Sequence, residues 1–331
     1  MSELISVIIP TFNSQIRISK CLDSIQKQYL QDMELELIIV DDNSSDKTIE
    51  KVKDFNFKNY KIIKSGKNDI EYSKWIGIQN CEGEYIFFID DDNYLCDDRH
   101  LYKSVSHLKE NSKTKGVQSW KFEINSTLSL SDQYAAIYGI NDPFVYYLGR
   151  QDKISYFDDS WTLPGKILHE TDSTILLEFK EAEIPTIGSQ GFMCRRSDIF
   201  LNKDYDKFYH MDFAIDNMSE GNIQICMLKN TVLHLHAKTI KVFFRKIHRN
   251  ITLFYKNRHN RKFQYNLKLY KLIKNTLILG TLVKPTADSV TMFFKSKEYA
   301  SLMHPAICFV TLLIYIKVSL QSIFNSALRK F

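Results

Sequence analysis

A mostly parallel α/β sheet flanked by helices, followed by a basic helical extension, is the fold class that the sequence predicts. Three observations lead there. Short β-branched runs alternate with amphipathic segments through residues 5–89, the signature of a doubly wound sheet. Clusters of aspartates stand just past two of those runs. Charge is also segregated: residues 221–331 carry 19 Lys and Arg against Asp288 and Glu298 alone, net +17, whereas residues 1–220 are net −12.

The elements follow in order. Ile5 to Pro10 is a short β-branched strand, ended by Pro10, which has no N–H to give to a ladder. Asn13 or Ser14 caps a helix with Ile18, Cys21, Leu22, Ile25 and Tyr29 along one face. A second strand, Leu35 to Val40, runs into Asp41-Asp42-Asn43-Ser44-Ser45-Asp46, and Ser45 caps a helix through Val52. Tyr60 to Ser65 forms a third strand and Ile70 to Asn80 a third helix. The fourth strand, Tyr85 to Ile89, opens into Asp90-Asp91-Asp92-Asn93.

Adjacent carboxylates at a strand end repel one another. They need either solvent, as in an ordinary acidic turn, or a divalent cation that bridges to phosphate oxygens. Ligands of such sheets bind beyond the carboxyl ends of the strands, so Asp41-Asp42 and Asp90-Asp91-Asp92 should face one crevice. Asp42 has a turn or capping role as its alternative. Two acid clusters at two strand ends suit a diphosphate ligand, with metal at the second and a base or ribose at the first. A dehydrogenase is disfavoured, because no GxGxxG follows the first strand and the chain has 11 glycines.

Six cysteines lie scattered without CxxC spacing, which suggests neither a zinc site nor a disulfide framework and fits a reducing, cytoplasmic setting. No basic stretch followed by an apolar run marks a signal peptide at Met1 to Leu4.

Val7-Ile8-Ile9-Pro10-Thr11-Phe12-Asn13, then Ile39-Val40-Asp41-Asp42-Asn43-Ser44-Ser45-Asp46, then Gly83-Glu84-Tyr85-Ile86 with Asp90-Asp91-Asp92, resemble the family 2 glycosyltransferases of the GT-A fold in order and spacing. The resemblance implies an inverting, nucleotide-sugar-dependent transferase (EC 2.4). It implies that Pro10, Thr11, Asn13, Asp41, Asp42, Lys74, Asp90 and Asp91 hold the donor, a UDP- or GDP-sugar, with Asp42 at the base. It further implies that Asp92 ligates Mn2+ or Mg2+ within a DxD-type motif. Lys74 stands where the family often has a basic residue, although Ser73-Lys74-Trp75-Ile76-Gly77 departs from the usual Ala-Arg-Asn pattern.

Ile184 to Arg196 resembles the family's acceptor-side segment, which ends in a basic pair. Where members usually carry an acidic pair, this chain has Met211-Asp212, so the resemblance makes Asp212 the catalytic base; a helix N-terminal acid is the alternative, and Asp216 and Glu220 are the substitutes if the register differs. Val232-Leu233-His234-Leu235-His236 resembles the final core strand, which often ends in a metal-proximal histidine. Strand alternation puts both histidines on one face, and His236 is preferred as the later position, against a structural histidine.

From Ile240 onwards, Phe243, Phe244, Ile247, Ile251, Phe254 and Tyr255 recur at helical spacing among Lys241, Arg245, Lys246, Arg249 and Lys256. This basic amphipathic helix suits an anionic bilayer surface, or else docks on the core. The apolar runs Thr276 to Val283 and Ala306 to Ile316 each fall short of the roughly 20 residues that span hydrocarbon, and Lys317 interrupts the second.

The domain expectation is therefore a catalytic domain at 1–237, with 1–95 binding nucleotide and 96–237 facing the acceptor, and a membrane-associating tail at 238–331. The protein should be peripheral to the cytoplasmic face of the membrane, taking a lipid-linked glycan or polyprenyl phosphate as acceptor. The apolar tail suits a homo-oligomer surface equally well. A catalytically silent nucleotide-sugar-binding or scaffold protein is the alternative, permitted by Met211. Nucleic acid is not an expected partner, since no recognised motif accompanies the basic tail.

Overall fold

The computed structural model describes residues 3–199, 206–264 and 269–328. The chain runs β1 (Leu4–Thr11), α1 (Ile18–Gln26), β2 (Glu34–Asp41), α2 (Thr48–Lys53), β3 (Tyr60–Lys64), α3 (Ile70–Gln79), β4 (Tyr85–Ile89), β5 (Asn93–Leu95), α4 (His100–Glu110) and β6 (Thr114–Phe122). There follow α5 (Leu130–Tyr138), α6 (Pro143–Tyr147), β7 (Lys166–Glu170), β8 (Thr174–Lys180), β9 (Gln190–Arg195), α7 (His210–Asp216) and β10 (Asn222–His234). The last helices are α8 (Ile240–Asn257), α9 (Leu269–Thr281), α10 (Val283–Ser296) and α11 (His304–Leu328).

Two compact units result. The first comprises residues 1–123 and 165–234, and the second 124–164 and 235–331. This partition differs from the expected division at residue 237 in two respects: 124–164, with α5 and α6, belongs with the C-terminal helices, and so does 235–237.

The first unit is one mixed sheet in the order β3-β2-β1-β4-β9-β6-β10-β8-β7, with β5 paired to β10. Strands β1 to β4 are parallel, and both β2 and β4 flank β1. The chain therefore winds outward from β1 through β2 and β3, then returns to β1's other side as β4, which creates a switch point and a crevice at the carboxyl ends of β1 and β4. Ile5, Val7, Ile8, Ile9 and Leu37 to Val40 are fully buried, as expected for strands covered on both faces.

A buried carboxylate fixes the opposite end. Glu36 accepts from the Ser6 hydroxyl (2.7 Å) and the Glu82 amide (2.9 Å) and pairs with Lys61 (2.8 Å). Burial pushes its carboxyl up, but the Lys61, Glu82 and Ser6 bonds outweigh this and hold it below the usual range. Gly83 donates to Ser6 Oγ (2.8 Å), and a Cβ there would lie 2.7 Å from the Ser6 nitrogen.

Local details depart from expectation. β1 continues through Pro10 to Thr11, because Pro10 pairs with Val40 in a parallel register that does not need its N–H. Neither Asn13 nor Ser14 caps α1 through its side chain. Asp46, not Ser45, accepts the first α2 amide, that of Thr48 (3.0 Å). Tyr29 lies beyond α1 and is exposed.

In the second unit, Tyr134 and Tyr138 of α5 pack with Phe243, Ile247 and Ile251 of α8 and with Ile307 and Val318 of α11. The apolar face of α8 is thus internal, so it cannot be the bilayer-facing surface considered above; the basic face remains outside. α11 runs unbroken through Lys317 for 25 residues, joining what the sequence split at that lysine, because an exposed lysine costs a helix little. His304, at its start, lies within hydrogen-bond distance of Tyr134 Oη at Nδ1 (2.9 Å) and of Tyr147 Oη at Nε2 (2.9 Å) and stacks on Tyr138. Tyr147 donates to Asp288 Oδ2 (2.9 Å), so its oxygen accepts from Nε2–H, and Nδ1 accepts from Tyr134.

Candidate active site

The carboxyl ends of β1, β2 and β4 bring the acid clusters to one edge of the sheet. Asp42 follows β2, donates its amide to the Thr11 carbonyl (2.9 Å), and accepts through Oδ1 from Ser65 Oγ and the Asn68 amide (2.9 Å each). Asp41 turns back on its own loop and accepts from the Ser44 amide. Asn13, at φ 47°, accepts from the Ser45 amide (2.9 Å) and donates its own amide to Ser44 Oγ (2.9 Å). These bonds lace the loop after β1 to the loop after β2, and they account for the Asn-Ser-Ser residues there.

The three aspartates after β4 have different surroundings. Asp91 is surrounded by donors: Thr11 Oγ1 at 2.9 Å, Ser14 Oγ, and the Arg17 guanidinium at 3.3 Å. Burial raises its carboxyl, Arg17 opposes the rise, and Asp92 adds to it. Asp90 is pushed up to about 7 by burial, against the charge of Lys74 and with that of Asp92 and Asp91. Its Oδ1 is buried without a hydrogen-bond partner among the described residues. The nearby Cys21 thiol is raised by burial and by all three acids, so it stays protonated and inert.

Asp92 is held by a pairing that the sequence did not reveal. Asn93 to Leu95 forms β5 antiparallel to the end of β10, with Asn93 opposite His234. Asp92 Oδ1 therefore lies 3.7 Å from His234 Nε2, and both residues are buried. A carboxylate oxygen and an imidazole nitrogen so placed fit a divalent cation, Mn2+ better than Mg2+ because imidazole is a softer donor. β10 ends at His234, so His236 lies beyond the strand, buried in the second unit with its ring 5.8 Å from Phe243.

Lys74, buried in α3, pairs with Glu71 (2.7 Å) and acts electrostatically on both Asp90 and His210. His210 is kept neutral by burial and Lys74, its ring seated among Phe88, Phe192 and Phe208. Two residues on, Asp212 is buried and lines a small cavity of about 30 Å³ with Trp75, Tyr209, Asp216 and Asn217. That cavity includes none of Asp90, Asp91 and Asp92.

The start of β9 adjoins the acids, since the Asp90 amide donates to the Ser189 carbonyl (2.8 Å). Its basic end does not. Arg195 pairs with Tyr85 at the opposite end of β4, where its guanidinium holds the Thr114 and Asn111 carbonyls and Asp198. Sequence reasoning also passed over Arg17, whose spacing in α1's approach gives no hint of Asp91.

This sheet, with its switch point and acid-lined strand ends, is the GT-A fold of nucleotide-sugar transferases. The mannosyltransferase PcManGT of Pyrobaculum calidifontis, solved with GDP-Man and Mn2+, superposes on 96% of this chain and 88% of its own with a TM-score of 0.55 at 12% identity. The chain belongs to glycosyl transferase family 2, whose pattern matches residues 6–199. Relatives include a poly(ribitol-phosphate) β-glucosyltransferase of Bacillus spizizenii, 27% identical over 65% of this chain and 33% of that protein. Another is the GalNAc(5)-diNAcBac-PP-undecaprenol β-1,3-glucosyltransferase of Campylobacter jejuni, 40% identical over 28% of this chain and 30% of that protein. The matched part of the chain thus spans about a third of these relatives' lengths.

Proposed function

We infer that the protein transfers a sugar from a nucleoside diphosphate sugar to a lipid-linked glycan or polyprenyl phosphate at the cytoplasmic membrane surface, with inversion. The observation that carries this reading is the meeting of Asp42, Asp90, Asp91 and Asp92 at neighbouring strand ends, beside Lys74 and Arg17, in a family 2 chain. The lipid-linked acceptor draws support from the undecaprenol-linked substrate in one relative's name.

In this reading Asp42 and the laced loops around Asn13, with Pro10 and Thr11 at the end of β1, receive the nucleoside. Lys74 supplies positive charge near the departing diphosphate. Asp92 and His234 would hold Mn2+ or Mg2+, and His236, two residues further along the chain, is the other histidine that the family resemblance offers as a ligand. When bound, that ion would neutralise charge developing on the leaving diphosphate. Asp212 accepts the proton of an attacking hydroxyl; with a lipid phosphate as acceptor the nucleophile is already ionised and this base is dispensable.

Calorimetric titration of UDP and GDP, with and without Mn2+, tests the reading. Metal-dependent binding of one nucleotide, lost in Asp92→Ala, is the expected result; binding of neither under any metal condition would sink it. Met211, in place of an acid, favours a second reading, a silent donor-binding protein. Donor binding with no turnover on any lipid acceptor, and no change in Asp212→Asn, would identify that case.

A further inference from the structure

The second unit leaves an apolar face uncovered. Phe309, Leu313, Ile316, Leu320 and Ile323 recur every three or four residues along α11, each between 43% and 67% exposed, on the side opposite the buried Ile307, Thr311 and Val318. Exposed Ile273 and Leu277 of α9 and Val290 and Phe294 of α10 add to this surface. Between α9 and α10 an open groove of about 480 Å³ is lined by Tyr270, Ile273, Leu277 and Val283, together with Lys274 and Lys284. An exposed apolar stripe running the length of a helix marks an interaction surface, unlike single exposed apolar residues.

We propose that α9, α10 and α11 form an interfacial docking surface for an anionic phospholipid bilayer, with α11 lying along the membrane and Lys271 and Lys274 meeting lipid phosphates. The assignment deepens the membrane part of the proposed function and rests on it for its biological sense.

Two arguments select this occupant. First, residues 269–324 carry six lysines against Asp288 and Glu298, and Asp288 is already engaged by Lys284 (3.0 Å) and Tyr147. Lys271 and Lys274 have no carboxylate partner among the described residues. A second copy would present the same cations to them, whereas an anionic leaflet presents their complement. Second, Tyr299–Phe324 is long and apolar enough to cross a membrane by length and composition alone, but its inner side is not available to lipid. α8 packs there, joined through Tyr255 Oη and Ser319 Oγ (2.7 Å), and carries Lys241, Arg245, Lys246, Arg249 and Lys256. A spanning α11 would draw those charges towards hydrocarbon, where each is strongly disfavoured. Lying flat, α11 buries only its outer stripe, and Lys317 reaches up to the headgroups.

Vesicle flotation tests this with the full-length protein. Vesicles of phosphatidylcholine with a third phosphatidylglycerol should carry the protein up, and phosphatidylcholine alone should carry several-fold less. Leu313→Glu/Leu320→Glu should cut the bound fraction at least about tenfold, and Lys271→Ala/Lys274→Ala should weaken binding and flatten its salt dependence, both with circular dichroism unchanged. Binding that survives both double variants overturns the proposal. So does a dimer by sedimentation that Leu313→Glu/Leu320→Glu dissolves, in protein that binds no vesicle. Nucleotide calorimetry on the same preparations separates the two readings: vesicle binding without nucleotide binding sinks the transferase alone, and the converse sinks the docking surface alone.

Discussion

Asp91 shows why three consecutive acids need not share one role. Thr11, Ser14 and Arg17 occupy its oxygens, so it ties the β1 loop to the β4 turn, while Asp92 is turned to His234 and Asp90 lies beside the charge of Lys74. Arg17→Met keeps the aliphatic stem but leaves a buried carboxylate facing two hydroxyls. Because Arg17 is part-exposed, the full penalty of breaking a buried pair does not apply; a loss of about 1–2 kcal/mol is expected in urea unfolding. Nucleotide affinity should fall with it, since the loop that carries Asn13 is anchored by the same contacts. Unchanged stability and affinity would show that the pair is ornamental. At this scale the sequence was readable where chemistry sits next to pattern: Asp42 and Asp90 to Asp92 directly follow apolar runs. Arg17 was not, because its contact with Asp91 joins residues distant along the chain; His234 was one of two histidines on the candidate face, and its place beside Asp92 comes from the register of β5 with β10.

Among the elements, the alternation of β1 to β4 with helices was legible because each strand is centred on apolar, mostly β-branched or aromatic residues, and α1 carries its stripe at periods of three and four. β5 was not legible. Three residues give no period, and only the register with β10 makes them a strand. α8 was legible as a helix but not in its partner, since an apolar stripe packs equally well on α11 or on lipid until the fold assigns it. Glycine shows how tightly the elements are set. A Cβ at Gly83 would meet the Ser6 nitrogen at 2.7 Å and the Leu4 carbonyl at 2.8 Å, backbone atoms of β1 that cannot swing aside. Gly83→Ala should therefore cost about 3 kcal/mol and disturb the Ser6 and Glu36 bonds. Gly188→Ala, with nothing within 4 Å, should stay within about 0.5 kcal/mol. Equal thermal shifts for the two would contradict this account of the β1–β4 junction.

For the molecule as a whole, acid should act in two steps. His304 has both nitrogens committed to tyrosines and its ring against Tyr138, and burial lowers its pKa to about 4. A histidine that must be neutral in the fold but titrates near 6.5 when unfolded lets the unfolded chain bind the extra proton between those values. Its contribution is complete above about 6.5 and is lost as pH falls towards 4. Glu36 works lower down: held below its usual range by its bonds to Lys61, Glu82 and Ser6 in spite of burial, it contributes above the ordinary glutamate value and is lost beneath it. Between pH 7 and 5 the His304 linkage amounts to about 2 kcal/mol; His210, also kept neutral by burial, adds a loss in the same direction, and Asp90, pushed up to about 7, opposes both. His304→Gln isolates the first part. The variant should be less stable than the wild type at pH 7, because glutamine cannot reproduce both tyrosine contacts, and the gap between the two proteins in urea unfolding followed by circular dichroism should narrow by about 2 kcal/mol on going to pH 5. If the gap is the same at both pH values, the proton is taken up elsewhere, and the tyrosine-enclosed histidine is a packing feature with no part in the acid response.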